Sequence, residues 1–130
     1  MIASNDEAAM LCRLARQDAL AFAALVANPD IDLRIACFHG QQAVEKFLKA
    51  ALVAQGLSFE PTHNLLKLSE LLGSTGITLP VAIESLKRPN PYAVVFRYDD
   101  REINLLTREE ADRIVGVVAH WAEALLDKPS

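Results

Sequence analysis

The sequence has few of the residues that build small sheet proteins or hold metal ions. Of its 130 residues, two are cysteine and 6% are aromatic, while 52% are hydrophobic, with much Ala and Leu. This composition favours helix over sheet. Cys12 and Cys37 fall on apolar helix faces, so we interpret them as core residues and not as a disulfide or half of a metal site. With no Cys/His metal spacing, glycine-rich phosphate loop or nucleophile elbow, we expect no metal and no cofactor.

Long apolar runs and an excess of positive charge are also missing. No segment approaches the roughly 18 uninterrupted apolar residues of a membrane span, and residues 1–7 lack the pattern of a signal peptide, which predicts a cytoplasmic protein without a membrane segment. The formal net charge is −4, from 17 acidic and 13 basic residues. No global positive field would attract long nucleic acid, so any such binding must be local. The length predicts one domain over residues 1–130.

The first half of the chain predicts two long helices. Apolar residues recur at three- and four-residue intervals from about residue 4 to residue 27, which is the helical period. Pro29 then ends the first helix, and Asp30 is the predicted N-cap of a second helix over residues 31–55, with Gly56 at its C-terminal end. Because only a short turn joins them, the two helices should be antiparallel.

The second half is more interrupted. Thr62 predicts the start of a short helix over residues 63–72, and Pro80 predicts a fourth helix that reaches about residue 87. Residues 88–101 contain two prolines and are predicted to form an ordered loop. Thr107 and Glu110 form a capping box, which places the last helix at residues 108–127. The prediction is an all-α domain of about five helices, with an ordered loop before the last one.

The predicted second helix has two distinct sides. One is an apolar arc that contains Cys37, Val44, Phe47, Leu48, Ala51 and Leu52. The opposite side carries a set that we call the polar ridge: His39, Gln42, Glu45, Lys46 and Lys49. Gln41 falls within the apolar arc, where its amide must find hydrogen-bond partners or cost about 1–3 kcal/mol. This misplaced amide predicts a polar network.

Three stretches in series carry a family resemblance: residues 41–50 (QQAVEKFLKA), 62–65 (THNL) and 92–98 (YAVVFRY). In order and spacing they resemble the HEPN domain family, although Asp99 stands where the family often has proline. The resemblance implies an up-and-down bundle of about five helices, commonly a homodimer. It also implies a two-component, toxin–antitoxin-like pairing with a minimal nucleotidyltransferase. Some members of the family cut RNA, and others are thought to bind nucleotides or RNA.

One candidate site combines part of the polar ridge with the family motifs. It consists of Gln42, Glu45, Lys46 and Lys49 with His63, Arg97 and Tyr98. A tyrosine face and a guanidinium on a loop suit base stacking and phosphate contact. The alternative is that the same residues serve only the fold. In that interpretation Glu45 and Lys49 form an ordinary i,i+4 pair, and Arg97 bonds to Glu45 or Gln41.

A second candidate site follows from the RNA-cutting members, which the resemblance describes as metal-independent ribonucleases with an Arg and a His on one helix and four to six residues between them. Arg113 and His120 fit, with six residues between them on one side of the last helix. Histidine would move the 2′-hydroxyl proton, and arginine would hold the scissile phosphate. The alternative is a solvated face with Glu109–Arg113 and Glu123–His120 pairs. Arg34 and His39 fit the same loose spacing.

Three hypotheses therefore remain open. The chain is a nucleotide- or RNA-binding component of a two-gene system, a metal-independent endoribonuclease that uses Arg113 and His120, or a purely structural partner domain. Each assigns a different role to the polar ridge.

Overall fold

The computed structural model describes residues 2–57, 65–77 and 108–127. All regular structure in these ranges is helical, and none of it is strand. The four helices are α1 (Ile2–Val26), α2 (Leu33–Ala54), α3 (Leu65–Gly73) and α4 (Arg108–Asp127). The all-α prediction is confirmed. Predicted helix 80–87 and loop 88–101 lie outside the described residues, so the count of five stays a prediction. In the described part, no helix combines the length and hydrophobicity that a membrane crossing needs.

The turn between α1 and α2 differs from its prediction in the residue that caps α2. The N-cap is Asp32, whose side chain accepts a hydrogen bond from the backbone N–H of Arg34 at 2.9 Å. Asp30 is still in the turn: its N–H bonds to Oδ1 of Asn28 at 3.0 Å, and the N–H of Ile31 bonds to the Asn28 carbonyl at 3.0 Å. Asn28 therefore organises a turn of its own, which delays the helix by two residues.

The C-terminal end of α2 agrees with the prediction. Gly56 has a φ of 73°, the left-handed conformation that favours glycine. Its N–H bonds to the carbonyl of Val53 at 2.9 Å, and the N–H of Leu57 bonds to that of Leu52 at 3.0 Å. These two bonds make a Schellman motif, which satisfies carbonyls that the helix leaves without partners.

Helix α2 lies at the centre and contacts each of the other three helices. Against α1 it is antiparallel as predicted, because Lys46 meets Asp18 whereas Gly40 lies beside Phe22. Against α4 it is parallel, since Gly40 also lies beside Val115 and the turn before α2 meets Arg108. The central position explains why α2 is buried over more than its predicted apolar arc, with additional buried residues Ala36, Gly40, Ala43, Glu45, Ala50 and Val53.

Arg108 joins the start of α4 to the turn between α1 and α2. Its guanidinium donates from Nη1 to the carbonyl of Val26 at 3.1 Å and from Nη2 to the carbonyl of Ile31. Val26 is the last residue of α1, so its carbonyl has no partner within the helix. A cation at this position also interacts favourably with the negative end of the α1 helix dipole. One side chain thus fixes three helices at one end of the bundle.

Candidate functional site

A chain of three side-chain hydrogen bonds runs along α2. Gln42 Nε2 donates to Gln41 Oε1 at 3.0 Å, Gln41 Nε2 donates to Glu45 Oε1 at 3.2 Å, and Lys49 Nζ donates to Glu45 Oε2 at 2.8 Å. Gln41 is only 2% exposed and Glu45 only 3%. The polar network that the misplaced amide predicted is confirmed. Because a buried carboxylate needs a compensating charge, Lys49 is the residue that lets Glu45 stay in this position.

The burial of Glu45 corrects one prediction. The helical period placed Glu45 on the side opposite the apolar arc, as part of the polar ridge. In the structure that side is only partly open to solvent: Glu45 is buried, and Gln42, Lys46 and Lys49 are half-buried. The physical reason is that α2 has neighbours on most sides, so its polar side chains are partly covered as well. The predicted i,i+4 pair of Glu45 with Lys49 is confirmed.

Lys46 has a partner that the sequence did not reveal. Its Nζ lies 2.5 Å from Oδ2 of Asp18, which belongs to α1. The side chains of Lys46 and Asp18 are 26% and 22% exposed. Both lysines of the polar ridge thus have an acidic partner, Asp18 for Lys46 and Glu45 for Lys49. These four charges sum to zero, so this part of the ridge is a neutral set of donors and acceptors and not a cationic patch.

The other members of the first candidate site are outside the described residues. His63, Arg97 and Tyr98 all fall in the gaps between the described ranges. Their association with the polar ridge therefore stays a prediction. His39, which is on the ridge itself, packs edge-on against the ring of Phe38, with centroids 5.4 Å apart and an interplanar angle of 86°.

Arg113 and His120 are both exposed on α4. The predicted partner of His120, Glu123, instead binds Arg16 of α1, with Nε and Oε2 3.1 Å apart. Among the described residues, no ion pair involves Arg113 or His120. The Glu109–Arg113 and Glu123–His120 pairs are therefore not formed, and Arg16 from a neighbouring helix binds Glu123 in place of His120. Both candidate catalytic side chains can reach a ligand from solvent.

Arg34 is held by the residue that caps its own helix. Its Nη2 and Nε lie 2.7 Å and 3.1 Å from Oδ2 of Asp32. Hydrogen bonds from the Arg34 side chain and backbone lower the pKa of Asp32 below its ordinary value. The negative charge of Asp32 is thus stabilised where a helix N-terminus also favours it. Arg34 therefore has a structural role beside its fit to the loose Arg–His spacing.

Both cysteines are free thiols and both are buried, as predicted for core residues. Burial raises the pKa of Cys37 to about 12, because the apolar surroundings disfavour the thiolate. A thiol that stays protonated at neutral pH is a poor nucleophile. Cys37 therefore contributes packing and no chemistry.

The described residues define an all-helical domain organised around one antiparallel helix pair, with a compensated polar network on its central helix. A family model described as HEPN domain matches residues 10–126, and the chain belongs to the HEPN domain family. The resemblance noted in the three motif stretches is thereby confirmed. No curated protein and no solved structure shows significant similarity to the chain. At the level of the family, membership supports a function related to nucleotides or RNA.

Proposed function

We propose that this HEPN protein binds nucleotide or RNA as one component of a two-gene, toxin–antitoxin-like system, together with a minimal nucleotidyltransferase. In this proposal it is a cytoplasmic homodimer. Family membership supports the nucleotide- or RNA-related part. The pairing and the dimer extend the resemblance that the motif stretches carry.

The binding surface that we propose combines the polar ridge with the family motifs that contain His63, Arg97 and Tyr98. The observation that carries this proposal is that Gln42, Lys46 and Lys49 are half-buried on one side of α2. The side chains of Lys46 and Lys49 are 26% and 16% exposed, and all three side chains are held in place by a hydrogen bond. Pre-positioned donors lose little entropy when a ligand binds. His63, Arg97 and Tyr98 complete the site in this proposal, with Tyr98 stacking on a base and Arg97 contacting a phosphate.

The test compares two arginine variants of the purified protein. Binding of labelled RNA and of nucleotides is measured by fluorescence anisotropy for the wild type, Arg97→Ala and Arg113→Ala. We expect Arg97→Ala to lose binding and Arg113→Ala to retain it. The proposal fails if the folded protein binds neither RNA nor nucleotide and forms no complex with a nucleotidyltransferase encoded beside it.

A second candidate function is metal-independent RNA cleavage by Arg113 and His120. The observation that favours it is their exposure on one face of α4 without an ion pair to the described residues. His120 would take the 2′-hydroxyl proton, and the resulting oxygen would attack the phosphate that Arg113 holds. This step forms a 2′,3′-cyclic phosphate and breaks the bond to the 5′-oxygen of the next nucleotide, which leaves with a proton taken from water. RNA is incubated with the protein in the presence of chelator, and His120→Ala and Arg113→Ala should both abolish cleavage, whereas His39→Ala should not. Cleavage that survives in both variants would exclude this site.

A third candidate, a purely structural partner domain, is favoured by the closed set of contacts on α2. Every polar ridge lysine already has an acidic partner, and Gln41 is satisfied within the network. In this case the variants Arg97→Ala and Lys46→Ala would change stability or complex formation, and they would not change ligand binding.

A further inference from the structure

The Lys46–Asp18 pair differs from the other ion pair of the polar ridge, Glu45–Lys49, in two respects. It joins two helices, with partners 28 positions apart in the sequence, whereas the Glu45–Lys49 pair lies within α2. It is also at the surface, since both side chains are about a quarter exposed, while Glu45 is only 5% exposed at its side chain. A ligand that approaches the ridge therefore meets Asp18 and can displace it.

We infer that Asp18 is a specificity-determining residue of the polar ridge: its carboxylate occupies the position at Lys46 that a phosphate oxygen of bound RNA would take. The inference rests on the proposed function of the ridge. A carboxylate and a phosphate oxygen are the same kind of partner for an ammonium group, since both accept charge-assisted hydrogen bonds. An RNA phosphate at Lys46 must either replace Asp18 or lie beside its negative charge.

The consequence is a preference among ligands. With Asp18 in place, the charges of the ridge cancel, and there is little Coulomb attraction for a phosphodiester chain. The ridge then favours ligands that bind through base or ribose hydrogen bonds. Removing the charge of Asp18 leaves Lys46 without an acidic partner among the described residues and makes the ridge more attractive to phosphate. Glu45 cannot take over this role, because Gln41 and Lys49 hold both of its oxygens.

The experiment measures binding of a fluorescently labelled single-stranded RNA across a series of salt concentrations. Asp18→Asn should bind about two- to fivefold tighter than the wild type, the effect of breaking one exposed ion pair. The slope of log affinity against log salt should steepen by about 0.7, the value for one additional phosphate contact on single-stranded nucleic acid. In the double variant Asp18→Asn/Lys46→Ala, the tighter binding and the steeper salt slope should both disappear, since both effects act through Lys46.

Asp6→Asn is the matched control, because it makes the same chemical change at an exposed site on the same helix. Twelve residues separate Asp6 from Asp18, about 18 Å along α1. This exceeds the Debye length of about 8 Å at physiological salt. Asp6→Asn should therefore bind RNA like the wild type. Helical circular dichroism and thermal unfolding establish that each variant is folded.

Two results would overturn the inference in distinguishable ways. If the wild type binds RNA and Lys46→Ala weakens it, but Asp18→Asn behaves like Asp6→Asn or binds more weakly, the proposed function survives. Asp18 is then no competitor. If neither the wild type nor any variant binds RNA or nucleotide, the proposed function fails and the inference fails with it.

Discussion

Replacement of Gly40 by alanine tests the close approach of three helices at the centre of the domain. A Cβ at this position would lie 2.9 Å from Cδ1 of Phe22, and 3.1 Å from Cγ2 of Val115. Carbon atoms in contact normally lie about 3.5–4.0 Å apart, so the new methyl group would overlap with α1 and with α4. Phe22 and Val115 are only 2% and 5% exposed. Neither can move without shifting its own neighbours.

Two effects of opposite sign determine the magnitude. Alanine is better than glycine inside a helix by about 1 kcal/mol, because it restricts the unfolded backbone. Overpacking of a filled core costs about 1–3 kcal/mol. Gly116, near the middle of α4, separates the two effects, because a Cβ there would have no described atom within 4 Å. Gly116→Ala should raise the free energy of unfolding by about 0.5–1 kcal/mol, and Gly40→Ala should lie below Gly116→Ala by about 1–3 kcal/mol.

The assay is urea-induced unfolding followed by helical circular dichroism, for the wild type and both variants. If Gly40→Ala is as stable as Gly116→Ala, the three helices are not in close contact at Gly40 and the reasoning is refuted. A double variant locates the overlap. Phe22→Val removes the two ring carbons nearest to the new methyl group, Cδ1 and Cε1, so Gly40→Ala should cost less in the Phe22→Val background, with a coupling energy of at least about 0.5 kcal/mol.

Three further changes test single interactions. Gln41→Leu removes the amide that donates to the buried carboxylate of Glu45, and it should lower the free energy of unfolding in urea by about 1–3 kcal/mol; a wild-type value would mean that the network does not stabilise the fold. Arg108→Ala should cost about 1.5–3 kcal/mol in the same assay, whereas exposed Arg113→Ala should stay within about 0.5 kcal/mol of the wild type. The pKa of Cys37 rises from 9.0 to about 12 on folding. The stability that this shift represents is complete below pH 9 and is lost as pH rises from 9 towards 12. Cys37→Ala should therefore lose less stability than the wild type between pH 8 and pH 11. Equal losses in the two proteins would contradict the burial of Cys37.

The parts of the fold that depend on local periodicity were predictable. The helical period and the capping box predict both ends of α1 and α2 to within two residues, and they predict both ends of α4 correctly. Gly56 was recognisable because glycine so often ends a helix in the left-handed conformation. The prediction of Asp30 as the N-cap of α2 is wrong, since the N-cap is Asp32. Both are good capping residues, and only the turn built by Asn28 decides between them.

What could not be predicted depends on contacts between helices. A helical wheel shows which side of α2 carries Glu45, but it does not show how many helices surround α2. The burial of Glu45 therefore cannot be predicted from the wheel. Asp18 and Lys46 are 28 positions apart in the sequence, and Arg16 and Glu123 are 107 positions apart. Arg108 lies up to 82 positions from its partners at the turn between α1 and α2. No spacing rule covers such distances. Gly40 carried a usable signal, since glycine inside an otherwise strong helix indicates close packing or function.

The two candidate surfaces can also be separated by the salt dependence of RNA binding. On α2 the two ridge lysines are balanced by Asp18 and Glu45, so even full engagement of both lysines with phosphates gives a slope of log affinity against log salt no steeper than about −1.4. On α4, Arg113 has no ion-pair partner among the described residues and needs no acid displaced. A net charge of −4 adds no attraction to either surface. A slope much steeper than this limit would therefore require several uncompensated cations, and neither α2 nor α4 presents them on its described face. RNA binding of that kind would have to involve cations elsewhere in the chain or on a binding partner.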